Sequence, residues 1–267
     1  MRVLNGAWNF RDVADAPGIG LRPGKFFRSS ELTTLDDEGR TMLRQLGITD
    51  VADLRSRREV ERRGRGRVPD DVMVHLLPFP DLAADSEGEA PHEHAFNRIM
   101  TDAPSNRSVG EAAREYMVGE YRGFSSLPGA QRAVRQVVSL LAADRPVITH
   151  CFAGKDRTGF TVAVVLEAAG VDKDAIMADY LHSNAAVPEL RERIIDMVND
   201  RAGSALTPEA VTFAEARLTD EVLGVREEYL AAARQTIDET YGSLDAYLRA
   251  AGVSAADIDA VRRVLLP

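Results

Sequence analysis

Apolar positions along this chain fall into two regimes. In the first third they come as short runs of strand length: Phe26-Phe27 ahead of Arg28-Ser29-Ser30, Ile48 to Leu54, and Val72 to Leu77. Runs of that length bounded by polar or turn residues predict strands. Between the first two lies a helical spacing through Leu35, Leu43 and Leu46, with Thr34 as the expected cap and Gly47 as the stop. From Gly110 onward the spacing is mostly helical. Ala130, Val134, Val137, Val138 and Leu141 mark one amphipathic helix. A β-branched run, Val147-Ile148-Thr149, interrupts the helical pattern, and Arg157 to Ala169 then predicts a helix stopped by Gly170. Further caps are visible at Thr207 with Pro208, at Ser243 and at Ser254, and Asp220 to Tyr241 predicts one unusually long helix. Asp81 to Pro91 and Thr101 to Gly110 predict loops around a helix near Glu93 to Met100. Strands first and helices later imply an α/β or α+β fold with a helix-rich C-terminal part. No repeat, low-complexity tract or linker divides it, so residues 1–267 are expected to form a single domain.

Composition narrows the class. A hydrophobic content of 45% over 267 residues supports a large core and excludes collagen or general disorder. The single cysteine, Cys151, excludes an intrachain disulfide. No run reaches the roughly 18–20 apolar residues of a membrane span, and Met1 to Asp12 carries Arg and Asp where a signal peptide would carry an apolar core. The expectation is a cytoplasmic protein, or one secreted without a classical signal peptide, with no integral membrane segment. The net charge of −9 argues against nucleic acid as a partner, but it hides an asymmetry. Arg55 to Arg67 holds seven arginines and two glutamates, a local +5 that leaves −14 elsewhere. Two readings stay open there: a solvated turn or short helix with a Glu59–Arg63 i,i+4 pair, or an anion-attracting patch beside a binding site.

The chemistry concentrates in Val147-Ile148-Thr149-His150-Cys151-Phe152-Ala153-Gly154-Lys155-Asp156-Arg157-Thr158-Gly159. A buried-type strand ends at Cys151, a short loop turns at Gly154, and a helix begins. Such a strand-loop-helix aims successive N–H groups and a positive helix end at one point, a phosphate-sized anion site. Arg157 can hold two phosphate oxygens at once. The same field favours the thiolate of Cys151, the candidate nucleophile, and the Thr158 hydroxyl could donate to it, either stabilising the thiolate or assisting a later step. An isolated cysteine after a strand would more often be a small buried hydrophobe. His before it, Gly three later, Arg six later and Thr-Gly beyond weigh against that.

This pattern of His-Cys, five residues, Arg and Thr resembles the signature of the cysteine-dependent protein tyrosine phosphatase superfamily. Trp8-Asn9-Phe10-Arg11-Asp12, Phe27 to Leu32, Leu46-Gly47-Ile48 through Arg55, and Tyr247-Leu248 with Gly252-Val253-Ser254 resemble the bacterial atypical group over nearly the whole chain. The resemblance implies a central sheet flanked by helices and a phosphocysteine intermediate at Cys151. It also implies phosphate binding by Arg157 and by the loop residues Phe152, Ala153, Gly154, Lys155, Asp156 and Thr158. No metal or other cofactor is implied. The superfamily's general acid is an aspartate on a separate loop; Asp81, after Leu76-Leu77-Pro78-Phe79-Pro80, matches best, with Asp85 its local competitor and no Trp-Pro-Asp triplet present. Lys155 resembles the loop cation of phosphoinositide phosphatases, or it only adds to the local field. Asp156 is expected to pair with Lys155 or a nearby arginine. Residues 205–225 are either ordinary core helices or, as the resemblance suggests, a helical lid over the site.

Other chemistry has weaker support. His92 and His94 lack companion ligands, His75 and His182 fit packing or surface positions, and no Gly-x-Ser-x-Gly elbow is present. Gly18-Ile19-Gly20 lacks the strand and helix of a dinucleotide site and predicts a turn. The expected function is hydrolysis of phosphotyrosine in proteins with broadened specificity, releasing inorganic phosphate. A phosphoinositide phosphatase and a catalytically silent phosphate-binding module are the alternatives.

Overall fold

A computed structural model describes residues 3–79, 108–202 and 218–267. In chain order its elements begin with β1 (Arg11–Asp12), β2 (Phe26–Ser29), α1 (Asp37–Gln45), β3 (Asp50–Asp53), α2 (Arg57–Arg63) and β4 (Met73–Leu76). They continue with α3 (Val109–Phe124), α4 (Pro128–Ala142), β5 (Val147–His150), α5 (Asp156–Ala169), α6 (Lys173–His182) and α7 (Val187–Ala202). After these come α8 (Asp220–Leu223), α9 (Glu227–Tyr241), α10 (Leu244–Ala250) and α11 (Ala255–Leu265). The expected α/β architecture is the observed one, helix-rich beyond the sheet.

The described strands form one sheet in the order β1-β2-β5-β3-β4, with β1 antiparallel and the rest parallel. Alternation along the strands sends side chains to two apolar layers, as a parallel sheet covered on both faces requires. Phe26 and Val147 join the larger core with the buried Ala130, Val134, Val137, Val138 and Leu141 of α4. Phe27, Val51 and Ile148 join a second core with Leu43 of α1 on the opposite face. The central strand β5 has Ser29 of β2 and Asp53 of β3 on either side of His150. Cys151 therefore leaves the sheet at the carboxyl ends of three parallel strands, the usual place for a site in an open α/β sheet.

Three local expectations change. The cap of α1 is Asp36, whose carboxylate accepts the Gly39 amide at 2.7 Å, while the Thr34 hydroxyl donates to the Gly6 carbonyl. Asp36 also adds its charge to those of Asp37 and Glu38 at the positive helix end. The long helix over Asp220 to Tyr241 is broken at Gly224-Val225-Arg226. Asn184 causes the break: its side chain accepts from the Val225 amide at 2.7 Å and donates to the Val225 carbonyl at 3.0 Å. A Cβ at Gly224 would lie 2.9 Å from that same Asn184 amide oxygen, so only glycine fits. The third change is the Glu59–Arg63 pair: Glu59 binds Arg157 and Arg63 binds Glu31. The Gly18-Ile19-Gly20 segment is a turn with positive φ at both glycines. The helix near Glu93 to Met100, the cap at Thr207 and the two histidines at 92 and 94 lie outside the described residues. Among the described residues no helix is long and apolar enough to cross a membrane.

Candidate active site

The loop from Cys151 to Lys155 is buried and held from behind. The Phe152 carbonyl accepts the Glu31 amide at 2.9 Å. The Asn9 side chain donates to the carbonyls of Ala153 (3.0 Å) and Gly154 (3.1 Å), and Arg28 donates to Gly154 at 2.8 Å. A trans peptide points its N–H opposite to its C=O. Tying back three successive carbonyls therefore turns the amides of Ala153, Gly154 and Lys155 the other way. The first turn of α5 adds the N–H groups of Asp156, Arg157 and Thr158, which have no acceptor within the helix. Gly154 is required at the turn: its φ is +67° and a Cβ there would sit 2.2 Å from the Ser29 carbonyl oxygen.

The supports are themselves fixed by charge. Asp179 of α6 binds Arg28 at 2.6 Å and Arg11 at 2.7 Å, all three buried. Arg11 in turn donates to the Asn9 side chain at 2.7 Å. Burial opposes the Asp179 charge, but Arg28 and Arg11 outweigh it and hold the carboxyl below its ordinary range. On the other side, Arg55 forks onto Asp53 at the end of β3 and reaches Glu31 at 3.2 Å. Glu31 also takes Arg63, whose guanidinium lies 4.4 Å over the Phe152 ring.

Arg157 is 2% exposed and is gripped end-on by Glu59, at 2.7 and 2.8 Å. Glu59 is the N3 residue of α2 and completes a capping box with Ser56, which fixes the carboxylate. Nη1 also donates to the Leu54 carbonyl at 3.3 Å. Of the five donors of a guanidinium, Nε–H and one Nη2–H are left unused by described residues. These two form one edge, the geometry that grips two oxygens of a phosphate. Burial opposes the Arg157 charge, but Glu59 and then Cys151 and Asp156 hold its pKa above the ordinary value. Cys151 is buried, and the Thr158 hydroxyl is buried without a partner among the described residues. Burial is the largest influence on His150 and keeps it below its ordinary value despite Asp53 at 3.7 Å.

Lys155 and Asp156 pair at 2.9 Å, as expected. The Lys155 ammonium also donates to the carbonyls of Val222 (2.9 Å) and Gly224 (3.3 Å), so all three of its N–H groups have acceptors. Asp156 accepts the Tyr121 hydroxyl at 3.0 Å. Above the loop, Leu190 of α7 and Leu218 and Leu223 pack in one apolar cluster with Phe152 and Ala153, and Trp8 meets Phe152 edge-on.

The structure thus brings Cys151, Phe152, Ala153, Gly154, Lys155, Asp156, Arg157 and Thr158 together. Asp81 and its competitor Asp85 lie outside the described residues, as do 205–217 of the expected lid. Sequence reasoning missed Glu59 as the partner of Arg157, and Asn9, Arg28, Asp179 and Tyr121 as supports. The blocks Trp8 to Asp12 and Phe27 to Leu32 were the signal for some of them, because they hold the back of the loop.

A cysteine at the mouth of a parallel strand, amides turned inward by tied-back carbonyls, and an arginine with one edge free define a protein built to take a phosphate ester. The chain belongs to the tyrosine phosphatase family, whose profile matches residues 3–267, and it is a phosphatase. It is 64% identical over 274 residues to the Triple specificity protein phosphatase PtpB of Mycobacterium tuberculosis, covering 100% of this chain and 99% of that protein. It is also 28% identical over 240 residues to a tyrosine-protein phosphatase of Nostoc commune, covering 89% of this chain and 72% of that one.

Proposed function

We propose that the chain hydrolyses phosphotyrosine in proteins, with broadened specificity, through a phosphocysteine intermediate. The Cys151 sulfur attacks phosphorus, an S–P bond forms and the P–O bond to the tyrosine breaks. Asp81 gives its proton to the leaving oxygen. A water, deprotonated by Asp81, then attacks the phosphocysteine and frees inorganic phosphate and the thiolate. The loop amides and the free edge of Arg157 hold the three equatorial oxygens, where charge concentrates. The unpartnered Thr158 hydroxyl is suited to donate to the sulfur as it leaves phosphorus. Residues 1–267 act as one domain in this reading, with α7 and Leu218–Leu223 supplying cover for the loop.

The observation that carries this reading is the Arg157–Glu59 grip, which leaves a phosphate-matched edge at a loop headed by cysteine. The name of the 64% identical relative, a triple specificity phosphatase, supports substrates beyond one class. A phosphoinositide substrate is the second reading, favoured by the exposed arginines of α2, the helix that holds Glu59. Phosphate release from a phosphotyrosine peptide should vanish in Cys151→Ser while inorganic phosphate still binds. Equal rates in wild type and Cys151→Ser would leave only a silent binding module.

A further inference from the structure

Four buried side chains run from α6 and α3 to the phosphate loop. Tyr180 donates to the Tyr121 hydroxyl at 2.7 Å, and Tyr121 donates to Asp156 Oδ1 at 3.0 Å. Lys155 reaches that same oxygen at 2.9 Å and spends its other donors on Val222 and Gly224. The Tyr121 ring is packed by Phe124 at 4.9 Å, Tyr229 at 5.7 Å and Tyr180 at 6.3 Å, so its hydroxyl has one direction. Burial, the largest cause, holds both hydroxyls well above the ordinary tyrosine value, so both remain donors.

Asp156 opens α5, one residue before Arg157. A carboxylate in the first turn of a helix is drawn to the unused amides there, which are the amides a phosphate needs. We propose that Tyr121 is a positioning residue for phosphate binding: its hydroxyl holds the Asp156 carboxylate against Lys155 and off the amides of the loop. Released, that carboxylate competes with the substrate for the same N–H groups, and Lys155 loses its fixed partner. Tyr180 acts one step further back, by orienting the Tyr121 hydroxyl. This role rests on the phosphatase reading above.

The test measures p-nitrophenyl phosphate hydrolysis with inorganic phosphate as competitive inhibitor, for Tyr121→Phe in the wild-type and Asp156→Asn backgrounds. In the wild-type background KM and the phosphate Ki should both rise about tenfold, the worth of a hydrogen bond to a charged group, with kcat changed less than about twofold. With Asp156→Asn, Tyr121→Phe should change neither constant, because the charge to be restrained is gone. An unchanged Ki in the single variant, or an equal rise in both backgrounds, overturns the proposal. Should Tyr121→Phe fail to fold, Tyr180→Phe in the same two backgrounds decides, with a smaller rise expected only when Asp156 is present. A wild type without hydrolysis would refute the phosphatase reading instead, so the two failures are distinct.

Discussion

Glu59 shows how one residue sets the state of another. Its two oxygens occupy the end of the Arg157 guanidinium, and the capping box at Ser56 leaves the carboxylate no other orientation. Glu59→Gln keeps the shape but offers a donor where Arg157 also donates, so one of the two bonds is lost. We expect kcat/KM to fall on the order of ten- to a hundredfold, with stability lower by about 1–3 kcal/mol; steady-state kinetics and thermal melts check both. Buried titratable groups set the response to acid. Asp53 and Asp179 sit below their ordinary values, Asp53 through His150 and Arg55 and Asp179 through Arg28 and Arg11, in both cases against burial. Each binds its proton more weakly folded than unfolded, so its stabilisation is complete above the unfolded value of about 3.9 and drains as pH falls through the folded value. His150 is lowered mainly by burial, so the unfolded chain gains a proton near pH 6.5 that the folded chain takes only at lower pH. The melting temperature should therefore begin to fall below about pH 6.5 and fall more steeply below about pH 4. A flat profile between these two values would contradict the buried neutral His150.

At the level of elements, the strand-loop-helix around Cys151 depends on one backbone angle. Gly154→Ala combines a left-handed φ of +67° with a Cβ pressed on the Ser29 carbonyl. The φ alone costs on the order of 1–3 kcal/mol, and relief of the clash would move the loop away from β2. We expect most activity to be lost and the melting temperature lowered, whereas Gly170→Ala, left-handed but with open space, should lose stability alone. This element was legible in sequence because its parts are contiguous: strand, cysteine, glycine, arginine and helix lie within about a dozen residues, and the amide geometry follows from that local order. Its supports were legible only in part: the blocks around Asn9 and Arg28 stood out without their role, whereas Glu59, Tyr121 and Asp179 arrive from distant segments that carry no such signal. Charge pattern even misdirected the reading of Glu59, because an i,i+4 partner in sequence looked sufficient. The break at Gly224 was hidden for the same reason. One glycine weakens a helix only modestly, and the side chain that captures Val225 is Asn184, from another part of the chain.

Across the whole molecule, charge is spread unevenly along the chain. The net charge is −9, yet Arg57, Arg58, Arg65 and Arg67 are exposed on and just after α2 with no carboxylate partner among the described residues. The inner side of the same helix carries Glu59 and Arg63, against Arg157 and Phe152. The basic segment therefore borders the site, and an anionic surface would attract this edge while repelling the more acidic remainder. A small soluble ester has no use for arginines outside the loop, but a phosphate ester embedded in an anionic bilayer would feel all four. Each such arginine contributes about 1 kcal/mol near a negative membrane, so replacing the four with glutamine should slow hydrolysis of phosphoinositide in phosphatidylserine vesicles by roughly two orders of magnitude or more at low salt. Hydrolysis of p-nitrophenyl phosphate should stay within about twofold, because none of the four touches the loop. Added salt should slow the wild type on vesicles and leave the quadruple variant nearly unchanged, since exposed charges are screened within a Debye length. Equal vesicle rates for the two proteins would confine recognition to the loop and its cover, and would remove the charge asymmetry from any account of substrate choice.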